Sequence, residues 1–213
     1  MASQTLYLLD SDAAKKLCQY QLLYELTVAL GCSLGDFAVL PQLRFQLKLD
    51  KDDKALAKLG TQAAVDLARD LVASASSVEI EADAANPLLQ LNRPDIDSGE
   101  ATLFAALHSN DNAHLCSGDK RAFIALSKVN DVPVVDALWA RFICLEEAIF
   151  LILKCSDFQV ISDKVRAQPD VDLSLSIAFG RALASSQETV IEALQSYMGS
   201  LAEKTDGKYL LPG

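Results

Sequence analysis

Acidic side chains stand at three places in the chain where a predicted strand ends or a predicted helix begins. Asp10 and Asp12 directly follow one apolar run, and Asp119 follows a second one. Asp97 and Glu100 open a segment with helical spacing. Ligands of open parallel sheets collect beyond the carboxyl ends of the strands, so these acids are expected to share one crevice. Converging carboxylates repel one another unless a hard cation such as Mg²⁺ or Mn²⁺ neutralises them, and such a cation can activate water for phosphodiester hydrolysis.

The same acids also have a purely structural interpretation. Asp and Ser are preferred at helix N-caps, where the side chain accepts a hydrogen bond from a backbone N–H group. Capping alone could explain Asp12, Asp97 and Ser98. It does not explain why two acids end strands while a third opens a helix, so the combination favours a metal site.

Short apolar runs predict the strands that position these acids. Thr5–Leu9 and Ala113–Cys116 are short and mostly apolar, as strands buried on both faces of a parallel sheet must be. Val78–Ile80 and Val132–Val135 are two further candidates. Because helical segments separate these runs, the sequence predicts an α/β fold, a three-layer α/β/α arrangement around a mostly parallel sheet.

The predicted helices have apolar residues at helical spacing and plausible ends. Gly31 is a stop signal, Pro41 is tolerated in a first turn, and the acids at 50–53 suit a helix N-terminus. The predicted ranges are 13–30, a helix within 34–49, 50–73, 98–107, 120–127 and 136–153.

The C-terminal part of the chain differs from the rest, because nothing strand-like follows Asp170. We therefore divide the chain into an α/β domain at 1–155 and a helical C-terminal extension at 156–213. In the extension, Val190, Leu194, Tyr197 and Leu201 form one apolar stripe. Such a stripe is expected to cover apolar surface of the same chain or of a second copy, since burying a large apolar side chain contributes about 1.5–3 kcal/mol.

Composition limits the class of protein. The 213 residues include 51% hydrophobic and 23% charged residues, which excludes a disordered or fibrous chain. The net charge of −10 argues against a protein that coats nucleic acid through bulk positive charge, although it permits a local basic rim. The five cysteines are far apart and form no CxxC pair, which indicates thiols in a reducing compartment and no disulfide.

Two features predict a soluble, cytoplasmic protein with no membrane partner. The N-terminal residues MASQTLYLLDSD lack a basic segment and reach an acid after four apolar residues, unlike a signal peptide. The most apolar stretch, Phe142–Leu153, contains two glutamates and is shorter than the roughly 20 residues of a membrane span.

Three motifs, LYLLDSD, DSGEATLFAA and AHLCSGDKRAF, resemble those of PIN-domain proteins over roughly residues 5–140. The resemblance implies a PIN-like α/β fold and a metal-dependent ribonuclease that acts as a toxin of a toxin-antitoxin system or in RNA processing. It implies Mg²⁺ or Mn²⁺ held by Asp10, Glu100 and Asp119 as catalytic residues, with Asp97 or Asp12 as a further ligand.

Four residues are candidates for contact with an RNA substrate. By the resemblance, Ser117 falls beside the metal site. Lys15, Lys120 and Arg121 lie one turn into the helices that follow Asp10 and Asp119, where they could hold phosphates or simply form solvated helix faces.

One segment departs from the family pattern. The family usually has an acid in a segment resembling VLPQLRFQLKL, where this chain has Gln42 and Gln46. An amide coordinates a cation less strongly than a carboxylate, so either Asp36, Asp12 or Glu25 supplies the ligand or the site is degenerate.

Two other functions remain open from the sequence. A degenerate PIN-like module would bind a protein partner or a second copy of the chain rather than cleave RNA. The Asp10-x-Asp12 pattern also resembles that of haloacid-dehalogenase phosphatases, in which Asp10 would be the nucleophile and Asp12 a general acid.

Overall fold

The computed structural model describes residues 5–80, 86–91 and 93–212, and five strands in this part form one sheet. The strands are β1 (Leu6–Leu9), β2 (Phe37–Val39), β3 (Ser76–Ser77), β4 (Ala113–Ser117) and β5 (Phe142–Cys144). Their order across the sheet is β3-β2-β1-β4-β5, and every neighbouring pair is parallel.

Helices cover the sheet and continue beyond it. They are α1 (Ser11–Gln19), α2 (Leu23–Leu30), α3 (Leu43–Gln46), α4 (Asp52–Leu59), α5 (Gln62–Ser74), α6 (Ser98–Ser109), α7 (Lys120–Ser127), α8 (Leu145–Cys155), α9 (Phe158–Arg166), α10 (Leu173–Phe179) and α11 (Gln187–Lys204). Short 3₁₀ helices cover Leu34–Asp36, Pro87–Gln90 and Pro133–Arg141.

The helices form two layers on the sheet. Because connections between parallel strands are right-handed in nearly all proteins, the strand order puts the helices between β1 and β3 on one face and α6 and α7 on the other. On the first face α1 packs against α5 and α2 packs against α8, while α6 packs against β4. The predicted three-layer α/β/α fold with a parallel sheet is therefore confirmed.

The central strand is β1, as predicted from its apolar sequence. It pairs with β2 on one side and with β4 on the other, in a register that sets Leu9 beside both Val39 and Cys116. Leu8 and Leu9 are at most 1% exposed, as burial on both faces requires.

The strand order reverses direction between β1 and β4. From β1 the chain moves to β2 and β3 on one side, and from β4 it moves to β5 on the other. At such a switch point the two following helices leave on opposite faces, so a crevice opens beyond the carboxyl ends of the two strands. Asp10 follows β1 directly and Asp119 lies two residues beyond β4.

Two predicted long helices are each divided in two. Gln21, with a φ of 56°, interrupts the segment predicted at 13–30, and the chain changes direction between α1 and α2 at the buried Leu22. Gly60, with a φ of 87°, interrupts the segment at 50–73 before Thr61 caps α5. Gly31 ends α2 in the left-handed conformation, as predicted.

Several predictions near the sheet edges are wrong. A strand was predicted at Val78–Ile80, but the strand in this region is the exposed Ser76–Ser77. The strand β2 was not predicted, because it lies in the segment 34–49, whose pattern is ambiguous. Val132–Val135 is not a strand, because Pro133 begins a 3₁₀ helix that runs to Arg141. The helix predicted at 136–153 begins only at 145, after β5. Short apolar runs carry too few residues to distinguish strand from helix by period.

The C-terminal helices close one side of the core. Helix α11 packs against α7, α8 and α10, and it buries Val190, Leu194 and Leu201 as the stripe predicts. Met198 is the fourth buried residue of this face, while Tyr197 is half-buried with the Lys120 ammonium 5.6 Å from its ring centre. The stripe therefore covers the chain's own core.

Two further observations concern the membrane and the thiols. Over the ranges 5–80, 86–91 and 93–212, no helix is long and apolar enough to cross a membrane. All five cysteines are free.

Candidate acidic active site

A cleft lies at the switch point, beyond the carboxyl ends of β1 and β4. Its larger part has a volume of about 260 Å³, and a smaller part of about 170 Å³ adjoins it. Asp97, Glu100 and Asp119 line both parts. Asp10 and Asp12 line the larger part. The cleft thus brings together the five acids that the sequence predicted as metal ligands.

Asp10 is the deepest of these acids. Its residue is only 9% exposed, and the Ser117 hydroxyl at the end of β4 donates a hydrogen bond of 3.3 Å to its Oδ2. Burial raises the pKa of Asp10, and the charge of Asp12 raises it further, while hydrogen bonds from Ser117 and nearby backbone N–H groups partly offset both. Keeping the Asp10 carboxylate ionised therefore costs free energy, and a bound cation would lower this cost.

Asp119 is partly buried and held by the start of its own helix. Its Oδ1 accepts hydrogen bonds from the backbone N–H groups of Arg121 and Ala122 at 2.8 and 3.4 Å. Burial opposes its charge, but the Arg121 guanidinium, 3.2 Å from Oδ2, and these N–H groups leave its pKa lowered. Asp119 therefore stays ionised more readily than Asp10 and Glu100.

Asp97 and Glu100 form a capping box at the start of α6. The Asp97 carboxylate accepts from the Glu100 N–H at 2.8 Å, and the Glu100 carboxylate accepts from the Asp97 N–H at 2.7 Å. Burial raises the pKa of Glu100 to about 7. The charges of Asp97, Asp119 and Asp10 act in the same direction, against the Asp97 N–H. Glu100 thus combines the capping role with a pKa that is raised first by burial and then by the neighbouring negative charges.

Asp12 lies at the wall of the cleft nearest β4. It pairs with Lys16 at 2.7 Å, and Lys16 also contacts Asp172, the N-cap residue of α10, at 2.9 Å. A Cβ atom at Gly118 would lie 2.5 Å from the Asp12 Oδ2, so any other residue there would require the Asp12 carboxylate to move. The backbone between Ser117 and Asp119 can approach Asp12 because this position lacks a side chain.

The two amides that stand where the sequence resemblance led us to expect an acid also line the cleft. Gln42 and Gln46 both line its larger part. Of the three acids considered as replacements, Asp36 precedes β2, at the opposite end of the sheet, and bonds Ser33 at 2.8 Å. Glu25 pairs with Lys164 of α9. Only Asp12 lies in the cleft.

The residues predicted to bind substrate are placed unequally. Arg121 lines the smaller part of the cleft and its side chain is 83% exposed. Lys120 forms an ion pair with the buried Glu146 of α8, and Lys15 lines neither part of the cleft. Ser117 is buried and positions Asp10.

Sequence reasoning missed three features of this site. Ser11 lines the cleft with a buried hydroxyl oxygen that has no hydrogen-bond partner among the residues that the structure describes. Gly99 lies where a Cβ would be 3.2 Å from Asp97 Oδ1. Gly118 separates Ser117 from Asp119, and the small residues in D-S-G-E and S-G-D were the available signal.

The donor set suits a hard cation. The cleft offers carboxylate and amide oxygens, which are the ligands that Mg²⁺ and Mn²⁺ prefer, and its lining within the described residues includes no thiol or imidazole. Within the described parts of the chain, however, no three His, Cys, Asp or Glu residues already form a ligand group. Asp12 and Asp119 are in ion pairs and Asp97 and Glu100 cap a helix, so cation binding would require these side chains to exchange partners.

Replacing Glu100 by Gln is expected to stabilise the protein above neutral pH. The unfolded state loses this proton near pH 4.5 and the folded state near pH 7, so wild-type stability falls as pH rises between them. Gln keeps a capping oxygen and removes the charge. After allowance for solvent screening, urea denaturation should show a gain of about 1–2 kcal/mol at pH 8 and none at pH 4.

The matched control is Glu188→Gln in the first turn of α11, where the glutamate is exposed. It should change stability little at either pH. An E100Q variant that is no more stable than wild type at pH 8 would contradict the raised pKa of Glu100 in the cleft.

Comparisons of the chain with protein-family models, with curated proteins and with solved structures gave no significant match.

Proposed function

We propose that this chain is a PIN-like metal-dependent nuclease that hydrolyses phosphodiester bonds in RNA. The observation that carries the proposal is the meeting of Asp10, Glu100 and Asp119 in one cleft at the switch point of a parallel sheet. These residues come from three separate segments of the chain, and their order matches the acidic motifs of the family the sequence resembles.

The charges of the cleft support the proposal. Burial raises the pKa of both Asp10 and Glu100, although neither side chain forms an ion pair in the described part of the chain. Capping alone would not require Asp10 to be only 9% exposed. Perturbed carboxyl groups gathered in a cleft are typical of functional sites.

The residues divide the work of the proposed reaction. Asp10, Glu100 and Asp119 would hold Mg²⁺ or Mn²⁺, with Asp12 or Asp97 as a further ligand, and Ser117 orients Asp10. The bound cation would supply activation of water and neutralisation of charge at the phosphodiester. Arg121 lies at the open side, where it can contact a phosphate once it releases Asp119.

Added Mn²⁺ is expected to stabilise the wild-type protein and to support cleavage of RNA. A ligand that binds only the folded state at 10 times its Kd contributes about 1.4 kcal/mol, or about 3–6 °C in Tm for a chain of this size. Thermal melts in 0–20 mM MnCl₂, with EDTA as the control, measure the shift. Single-stranded RNA with a fluorophore at one end measures cleavage under the same conditions.

The outcomes separate the proposed nuclease from the other functions. A melting curve indifferent to millimolar Mn²⁺, together with intact RNA, would remove the nuclease and favour a module that binds a protein partner or a second copy. Turnover of p-nitrophenyl phosphate without RNA cleavage would favour the phosphatase. Gln42 and Gln46 line the cleft, so we expect weak cation affinity.

A cytoplasmic location suits this proposal. The five thiols are free, and Cys18, Cys116 and Cys144 are buried. RNA substrates and free Mg²⁺ are available there. Labelling of cell fractions with an antibody against the chain tests the location.

A further inference from the structure

The short helix α3 joins the acidic cleft to an exposed basic surface. Gln42 and Gln46, four residues apart, both face the cleft. Phe45 lies between them in sequence and is 64% exposed. A helix turns by about 100° per residue, so Phe45 projects from a face adjacent to that of Gln46.

The surface beyond Phe45 is a shallow hollow of about 210 Å³. Its lining consists of one aromatic ring, three lysines and one aspartate, namely Phe45, Lys48, Lys51, Lys54 and Asp50. The three lysines are exposed and form no ion pair with any residue in 5–80, 86–91 or 93–212. Asp50 is neutralised by Arg44 at 2.5 Å. We call this hollow the α3 strip.

The charge of the α3 strip is opposite to that of the whole chain. Residues 44–58 contain five basic and three acidic side chains, whereas the chain carries a net charge of −10. Two of these acids are paired, Asp50 with Arg44 and Asp52 with Arg69. An anionic partner is therefore attracted to this side of the cleft and repelled from most of the remaining surface.

The α3 strip is held on a buried foundation. Leu43, Leu47 and Leu49 are at most 7% exposed, and they alternate with the exposed residues that form the strip. Lys48 has a φ of 60°, a conformation that is unfavourable for a side chain longer than Asn and ends α3. The ring and the ammonium groups are thus presented by an anchored turn.

We propose that the α3 strip binds single-stranded RNA beside the cleft, with an unpaired base stacked on Phe45 and the flanking phosphates on Lys48, Lys51 and Lys54. This inference rests on the proposed function, for which it defines the substrate class. An exposed ring among lysines can stack any base, but only a base that is not paired in a duplex. A protein partner with an acidic surface would need the charges and not the ring.

The test measures binding in EDTA, so that it does not depend on cleavage. Fluorescence anisotropy with a labelled 12-nucleotide single-stranded RNA compares wild type with Phe45→Ala, Phe45→Leu and Phe45→Trp. Loss of one stacked base should weaken binding about 10-fold in the Ala and Leu variants, and Trp should restore it. Phe45 is mostly exposed, so these variants should fold, which melting curves check.

The lysines are tested by the salt dependence of binding. The double variant Lys48→Ala/Lys51→Ala should lower the slope of log K against log salt by about 1.4, since each phosphate contact on a single strand contributes about 0.7. The control Lys128→Ala/Lys204→Ala removes the same charge at exposed positions that line none of the pockets described above. It should change the slope little.

The outcomes distinguish this inference from the proposed nuclease. Cleavage in Mn²⁺ with unchanged binding and KM in all Phe45 variants would overturn the strip and leave the nuclease standing. Binding that depends on Phe45 but no cleavage would support the strip and remove the nuclease. Equal binding of double-stranded RNA, unaffected by Phe45→Ala, would overturn base stacking. Equal binding of a polyglutamate peptide, also unaffected by Phe45→Ala, would favour an acidic protein partner instead.

Discussion

Replacing Asp10 by Asn is expected to abolish both the Mn²⁺-dependent rise in Tm and the cleavage of RNA. Asp10 is the most buried acid of the cleft and would be a direct ligand of the cation. Changes to groups that merely orient a ligand cost about 10–100-fold, so loss of the ligand itself should cost at least about 100-fold in cleavage rate.

The same replacement should not destabilise the protein in the absence of metal. Burial and the charge of Asp12 both raise the pKa of Asp10, so removal of its charge relieves repulsion. Asn keeps an oxygen that accepts from the Ser117 hydroxyl. In EDTA at pH 7, the Tm of the variant should equal or exceed that of wild type.

The control for this experiment is Asp111→Asn. Asp111 is exposed and precedes β4, at the opposite end of the sheet from the cleft. It should leave the Mn²⁺ shift and RNA cleavage unchanged. Full activity in the Asp10→Asn variant would show that the cation, or the reaction, is elsewhere in the molecule.

Deleting residues from Ser186 onward is expected to prevent stable folding. The deleted segment contributes five buried apolar side chains, Val190, Leu194, Met198, Leu201 and Tyr209. Each buried side chain contributes about 1.5–3 kcal/mol, so the loss of all five is comparable to the whole free energy of unfolding of a typical domain, about 5–15 kcal/mol. Size-exclusion chromatography and thermal melts should find an aggregated chain or one without a cooperative transition.

Tyr209 adds a polar reason for this loss. Its hydroxyl donates to the Glu147 carboxylate of α8 and lies 3.2 Å from the Cys144 sulfur at the end of β5. Glu147 is 9% exposed, so deletion leaves a buried carboxyl group without this donor. The milder variant Tyr209→Phe keeps the ring and should lower the free energy of unfolding by about 1–3 kcal/mol. A monomeric truncation that is as stable as wild type would instead identify α11 as a detachable tail.

Much of the centre of this fold could be predicted from the sequence, because buried parallel strands leave a clear signal. Thr5–Leu9 is an uninterrupted run that ends abruptly in acids, and the structure places its strand in the middle of the sheet. The edges gave no comparable signal. β3 consists of two exposed serines. β5 has only three residues between a 3₁₀ helix and α8, so it was included in the helix predicted at 136–153, which begins only at 145.

The candidate site followed from residue order more than from local pattern. Asp10 and Asp119 could be paired because the carboxyl ends of parallel strands share one edge of a sheet. The ion pairs of Lys120 with Glu146 and of Lys16 with Asp172 could not be predicted, because each joins two segments that no sequence pattern connects. The α3 strip could not be predicted either. From the sequence alone its lysines resemble the solvated start of a helix, and only the structure shows that Gln42 and Gln46 beside them line the cleft.

The pairing of β1 with β4 also has a consequence for the order in which the protein can assemble during translation. Leu9 of β1 lies beside Cys116 of β4. More than half of the chain must therefore be synthesised before β1 can pair with β4. Domains fold as units while the ribosome adds about 5–20 residues per second, and pairings this distant in sequence form slowly. The nascent chain therefore carries no cleft until β4 has emerged, and α11 completes the core last.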